Sequence, residues 1–214
     1  MYRIVDEAEY KPYRSYCSAT LKKACSLLRA KGITAQFTLV GSGARNMVTR
    51  NGNGPFDLDY NLEILKLPEA YRNDLHKLKD IVRISLDEAM DLSRFSHSQD
   101  STSCLTAILH FENEPTVKFK FDVAIIKRNS KGTLCRLIHN KMALHGQYIW
   151  NEVPDSYDVA KKARQLKAEG RWGEVRDRYV ELKNKYLTGI WGGDHPSFIV
   201  YIEAVNQVYN KYFE

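Results

Sequence analysis

The sequence predicts an α+β fold: a mixed β-sheet with flanking helices, followed by a small C-terminal helical lobe. Three observations predict it. A long helical pattern opens the chain, strand-like runs dominate its middle third, and from Asp155 onward nearly every segment repeats with helical spacing. With 214 residues and 43% hydrophobic content, the chain is long enough to bury a substantial core.

Asp6 to Lys31 reads as the first helix, with Tyr16, Ala19, Leu21, Ala24, Leu27 and Leu28 near helical spacing and Gly32 as its stop. Ile33 to Val40 is rich in β-branched and aromatic residues and reads as the first strand. A short helix is expected from Ser42, whose hydroxyl suits an N-cap. The run Asn51-Gly52-Asn53-Gly54-Pro55 is a turn-rich loop. Phe56 to Ile64 alternates apolar and polar residues, the pattern of a half-buried strand. Pro68 opens a helix predicted to run to Leu92, striped by Leu75, Leu78, Ile81, Val82, Leu86 and Met90.

Ser93 to Ser103 is a polar linker, in which His97 stands either as a general base at the rim of a site or as an ordinary exposed histidine. Cys104 to Glu112 and Thr116 to Ile126 read as two strands joined by a turn at Asn113-Glu114-Pro115, with shorter strands near Thr133 to Ile138 and His145 to Trp150. Helices are expected over Asp155 to Ala168, Trp172 to Leu187 and Pro196 to Tyr212. The boundary between sheet domain and helical lobe is placed near residue 152, giving domains 1–152 and 153–214.

Charge and composition narrow the function. Formal net charge is +6 and the pI is about 9.0, a balance that suits nucleotide phosphates or RNA as partners. Cys17, Cys25, Cys104 and Cys135 show no C-x-x-C spacing, so buried reduced thiols are expected rather than a zinc site. No apolar run approaches the ~18 residues of a membrane span, and Met1 to Tyr10 lacks the apolar stretch of a signal peptide, so a cytoplasmic location is expected.

The chemistry rests on a constellation. Val40-Gly41-Ser42 ends the first strand, and Asp57-Leu58-Asp59-Tyr60 lies on the next. Side chains alternate along a strand, so Asp57 and Asp59 share one face. Asp122 lies in the apolar run from Val117 to Ile126, where an acid is costly unless it is paired or bound to metal. Three such carboxylates suit a pair of magnesium ions about 3.5–4 Å apart, which stabilise the attacking and leaving oxygens of a phosphoryl group. Each part has a plainer explanation: D-x-D on a solvated edge, Asp122 paired with Lys118 or Lys120, Gly-Ser as a simple turn. The joint order of strand, Gly-Ser, helix, loop, D-x-D strand and later Asp favours the catalytic explanation. Ser42 at a helix start can meet an anion, and Arg45 one turn on either reaches a phosphate or is an ordinary surface charge.

On Leu39-Val40-Gly41-Ser42, Asp57-Leu58-Asp59 and Asp122, the chain resembles the polymerase-β-type nucleotidyltransferase superfamily, which includes CCA-adding enzymes, poly(A) polymerases, cyclic-dinucleotide synthases and small antibiotic-modifying transferases. The resemblance covers roughly the first 125 residues, and the helical tail matches only the general habit of the superfamily. It implies a nucleotidyltransferase-type mixed sheet, Asp57, Asp59 and Asp122 as ligands to two magnesium ions (manganese as an alternative), and a triphosphate held near Gly41 and Ser42. The loop from Gly43 to Phe56 is slightly long for the pattern, and Gly43 and Asn46 depart from the residues common after the Gly-Ser pair.

It further implies that the helical lobe closes over the nucleotide. There Lys161, Lys162, Arg164, Lys167, Arg171, Arg176, Arg178, Lys183 and Lys185 surround Trp172, Tyr179, Tyr186 and Trp191. Either a base stacks on one of these aromatics, or Trp172, Tyr179, Leu182 and Tyr186 form a packing stripe beneath a solvated charged face. The expected function is a magnesium-dependent transfer of a nucleoside monophosphate from a nucleoside triphosphate to a hydroxyl or phosphate on a small molecule, RNA or protein, with pyrophosphate release. The competing expectation is a non-catalytic nucleotide- or RNA-binding regulator on the same fold.

Overall fold

A computed structural model of the chain describes residues 1–91, 96–111, 114–141, 147–187 and 196–214, with side chains throughout these ranges except 109–111 and 114–118. It divides into two compact units. One gathers residues 6–48 and 54–153; the other gathers residues 1–5, 49–53 and 154–214.

The larger unit begins with helix α1 (Glu7–Ala30), started by the Asp6 carboxylate accepting from the Ala8 N–H. Strand β2 (Thr34–Val40) follows, then the single turn α2 (Gly41–Ala44), strand β4 (Phe56–Lys66), the short helix α3 (Glu69–Arg72) and helix α4 (Leu75–Ala89). β5 (Gln99–Asp100), β6 (Leu105–Phe111), β7 (Glu114–Arg128), β8 (Leu134–Asn140) and β9 (Gln147–Glu152) complete it. β1 (Tyr2–Ile4) and β3 (Thr49–Asn51) pair with each other in the smaller unit.

The main sheet runs β2-β4-β7-β6-β5, with β8 joined to the end of β7 and β9 to β8. β4 and β7 are parallel; the other pairings are antiparallel. One face of these strands presents Phe56, Leu58, Tyr60 and Leu62 from β4 and Phe119, Phe121, Val123 and Ile125 from β7, all buried. Tyr13 of α1 lies edge-on to Phe56 at 5.5 Å and against Phe119 at 5.1 Å, and α1 also packs on α4. The helices thus seal this face, while the polar residues of the same strands face the other way.

Several expected elements change in detail. The helix predicted from Pro68 to Leu92 is two helices, because Asp74 leaves helical geometry and its carboxylate caps the Lys77 N–H. The short helix after β2 starts at Gly41, with Val40 at the cap position and no side-chain cap, so the Ser42 hydroxyl does not start it. β7 begins at Glu114, earlier than expected, and takes Glu114 and Pro115 out of the predicted turn; Asn113 lies outside the described residues. Leu92, Trp191 and the His145 start of the last strand also lie outside them. β1, β3 and β5, of two or three residues each, were too short to show a period.

The smaller unit packs α5 (Tyr157–Ala168), α6 (Trp172–Leu187) and α7 (Ser197–Phe213) together. Of the expected packing stripe, Tyr179 and Leu182 are buried beside Val175, while Trp172 and Tyr186 are half-buried. Lys183 departs from a solvated charge: it is buried, its Nζ is 4.5 Å from the Tyr2 ring centre and 5.2 Å from that of Tyr179, and it donates to Thr49 Oγ1 at 2.8 Å. No helix among the described residues is long and apolar enough to cross a membrane.

Candidate functional site

The polar face of the sheet collects the acids. Parallel pairing sets Asp59 opposite Asp122 and Asp57 opposite Lys120, and paired residues on adjacent strands point to the same side. Asp57, Asp59 and Asp122 therefore share a face across two neighbouring strands. Asp57 is exposed, while Asp59 and Asp122 are half-buried.

On the other side of β4, Val40 pairs with Asp59, which puts the start of α2 against that carboxylate. Gly41 has φ +62°, and a Cβ there would lie 2.5 Å from Asp59 Oδ2. A side chain is excluded at this position twice over, by backbone conformation and by the acid. The Ser42 carbonyl accepts from the N–H groups of Arg45 and Met47, and Arg45 closes the turn. Thus Gly41 and Asp59 meet, and Arg45 acts on Asp59 electrostatically.

Burial pushes the Asp59 carboxyl up to about 6; the Asp122 and Asp57 carboxylates push in the same direction, while the Arg136 and Arg45 cations oppose them. The sheet has gathered negative charge where it is poorly solvated, and a bound cation would relieve it. The donors are all carboxylate oxygens, the kind magnesium takes. Among the described residues, no three His, Cys, Asp or Glu side chains already close into a metal cage. Magnesium is commonly held by one or two carboxylates and completed by water and substrate phosphate. Asp59 and Asp122 are the carboxylates that would hold such an ion, with Asp57 exposed two residues back on the same face.

Other side chains on this face were not anticipated. Thr106 on β6 pairs with Asp122 and donates its hydroxyl to Asp122 Oδ1. Cys104 Sγ lies 3.8 Å from the same oxygen, and burial raises its thiol pKa. Arg136 on β8 acts electrostatically on Asp59, and its buried Nε has no hydrogen-bond partner among the described residues. Asn61, two residues beyond Asp59, likewise buries Oδ1 without a partner there. The expected turn between the strands at 104–112 and 116–126 made them neighbours, but it did not give the register that puts Thr106 opposite Asp122.

His97 is 74% exposed, and its Nδ1 sits 3.2 Å from Asp87 Oδ2 at the end of α4. Asp87 also accepts from the Ser98 N–H at 2.8 Å and the Ser98 hydroxyl at 2.6 Å, so this carboxylate anchors the linker. Lys79, 3% exposed, forms an ion pair with Asp100, which is also 3.0 Å from His139 Nδ1 and accepts from the Tyr148 hydroxyl at 3.1 Å. This second cluster fastens β5 to α4, β8 and β9.

No protein-family model matches the sequence, and no curated protein matches it. Solved structures do. CdnC of E. coli MS115-1 with ATP aligns at TM-score 0.55 and 14% identity, over 96% of this chain and 61% of that one. The cyclic AMP-GMP synthase DncV of Vibrio cholerae, described as a prokaryotic cGAS homolog, aligns at 0.55 and 16%, over 83% and 46%. DncV in its 3'-deoxy ATP bound form aligns at 0.56 and 12%, over 94% and 65%. The chain thus spans between about half and two thirds of the length of the structures it matches, and the likeness is one of fold. The mixed sheet and its helices have the nucleotidyltransferase fold, the fold implied by the Gly-Ser turn and the three aspartates.

Proposed function

We propose that the chain is a magnesium-dependent nucleotidyltransferase that moves a nucleoside monophosphate from a nucleoside triphosphate to an acceptor hydroxyl or phosphate and releases pyrophosphate. The observation that carries this reading is the pairing of Asp59 with Asp122 on adjacent parallel strands, with Asp57 two residues back on the same face. Asp57, Asp59 and Asp122 would hold magnesium, which neutralises charge on the attacking and leaving oxygens.

The chain's own residues do the rest. Gly41 and Ser42 form the turn against which the triphosphate lies, and Arg45 supplies a cation beside it. Asp122 takes up the proton of the acceptor hydroxyl. The acceptor oxygen then bonds to the α-phosphorus, the bond from that phosphorus to the bridging oxygen breaks, and pyrophosphate leaves. Positioning and charge stabilisation provide most of the acceleration. Since DncV is named a cyclic AMP-GMP synthase, the ribose hydroxyl of a second nucleotide is the first acceptor to try.

The test is pyrophosphate release from each labelled nucleoside triphosphate with magnesium and an acceptor panel. Release and a labelled product are expected from the natural chain, with at least a hundredfold loss in Asp59→Asn and Asp122→Asn. Metal-dependent nucleotide binding without pyrophosphate release would instead establish the regulator.

A further inference from the structure

We propose that Thr106 is a positioning residue: its hydroxyl fixes the Asp122 carboxylate by one oxygen and presents the other to the metal. This rests on the nucleotidyltransferase reading above and deepens it. β6 lies antiparallel to β7 with Thr106 directly opposite Asp122. Thr106 Oγ1 donates to Asp122 Oδ1, and among the described residues every hydrogen bond to this carboxylate reaches that oxygen.

The Thr106 hydroxyl is itself supported. Cys104 Sγ lies 3.6 Å from Thr106 Oγ1 and 3.8 Å from Asp122 Oδ1. Ser101 Oγ lies 3.0 Å from Cys104 Sγ, accepts from the Cys104 N–H at 3.1 Å and donates to the Cys104 carbonyl at 3.0 Å. The chain Ser101–Cys104–Thr106 thus ends on Oδ1. It leaves Oδ2 without a hydrogen bond among the described residues, available as the metal ligand.

Such an anchor has a physical purpose. Asp59 and Asp122 are like charges side by side, and each gains by turning its carboxylate away from the other. A freely rotating Asp122 would have to be brought back to meet a cation. A donor on Oδ1 holds the carboxylate in place beforehand, as hydrogen bonds behind metal ligands generally do.

Manganese titrations monitored by the spin signal of the free ion, with a non-hydrolysable triphosphate present, test this without turnover. Thr106→Val keeps the shape and removes the donor. It is expected to raise the half-saturating manganese concentration about ten- to a hundredfold, whereas Thr106→Ser stays near the natural chain. Melting temperatures without metal confirm folding, and Thr106→Ala replaces Thr106→Val should the latter not fold. A merely structural role would lower the metal-free melting temperature and leave manganese binding unchanged, overturning the proposal. If the natural chain itself shows no saturable manganese binding, the metal reading of the site falls, and the role of Thr106 with it. Unchanged binding in Thr106→Val, beside saturable binding by the natural chain, removes only the role of Thr106.

Discussion

Gly41 and Asp59 are in contact to a degree that leaves no room for a methyl group: a Cβ on Gly41 would stand 2.5 Å from Asp59 Oδ2. The turn that follows β2 and the carboxylate on β4 are therefore a single feature. Gly132 provides a comparison within the same unit, because its φ is +79° yet nothing lies within 4 Å of the Cβ position. Alanine costs about 1–2 kcal/mol of backbone strain at either glycine. Gly132→Ala is expected to lose only that in urea unfolding and to keep its magnesium response. Gly41→Ala should lose more, and its magnesium affinity should fall at least tenfold as Asp59 is displaced. Equal magnesium affinity in the two variants would show that the close approach has no bearing on the site.

The raised Asp59 carboxyl gives a pH dependence with a definite sign. Its folded value is about 6, against about 3.9 for an unfolded aspartate, so the folded chain holds this proton more tightly. Without metal, the stability associated with the protonated group is fully present below pH 4 and declines as the pH rises to about 6, by roughly 3 kcal/mol. Magnesium binds the ionised form, so the rise in melting temperature on adding it should be larger at pH 7.5 than at pH 5. The difference between the natural chain and Asp59→Asn isolates this group from the other carboxylates. A magnesium effect independent of pH, or equal in Asp59→Asn, would refute it.

Much of this site was legible because strand alternation is a local rule. It puts Asp57 and Asp59 on one face and sets Asp122 apart from Phe121 and Val123 with no knowledge of the partner strand. Pairing is not local. That Asp59 stands opposite Asp122 depends on β4 lying beside β7, strands far apart in sequence. Thr106 stands opposite Asp122 through the register of the consecutive strands β6 and β7, which the turn between them does not reveal by itself. The same limit hid Arg136, fourteen residues beyond Asp122 yet acting on Asp59. The break of the helix at Asp74 was missed for another reason: every residue of the apolar stripe lies at or beyond Leu75, so the stripe says nothing of the turn before it, and only the Asp74 cap marks the interruption.

The Lys79–Asp100 pair is expected to be the most costly polar contact to break in the larger unit. Lys79 is 3% exposed, and removing its partner would leave a buried cation unpaired. Burial raises the Asp100 carboxyl pKa, but the hydrogen bond and charge of Lys79, with the Tyr148 and His139 contacts, outweigh it and hold the value below the usual range. A lowered folded value gives stability that is present above the unfolded value near 4 and is lost as pH falls through the folded one. Asp100→Asn should destabilise the chain by about 3 kcal/mol at pH 7, and by less at pH 3. Asp100→Asn together with Lys79→Met should recover part of the loss. Urea unfolding at the two pH values measures both, and a loss independent of pH would contradict the ion pair as its source.

Arg136 acts on the Asp59 carboxylate from β8. Its cation favours the ionised form of Asp59, so its loss must move the Asp59 carboxyl further upward. In Arg136→Gln, protons should compete with magnesium up to a higher pH than in the natural chain. The pH midpoint of the magnesium-induced rise in melting temperature should therefore shift upward, and magnesium affinity should fall severalfold at pH 6.5. Near pH 8.5 Asp59 is ionised in both chains, and the deficit should shrink. Removing a nearby cation also removes its repulsion of the metal, which by itself would strengthen magnesium binding at every pH. The two effects separate at high pH, where only the second remains, so affinity there should equal or exceed that of the natural chain. A deficit of equal size at pH 6.5 and 8.5 would mean that Arg136 supports the fold around Asp59 rather than its charge.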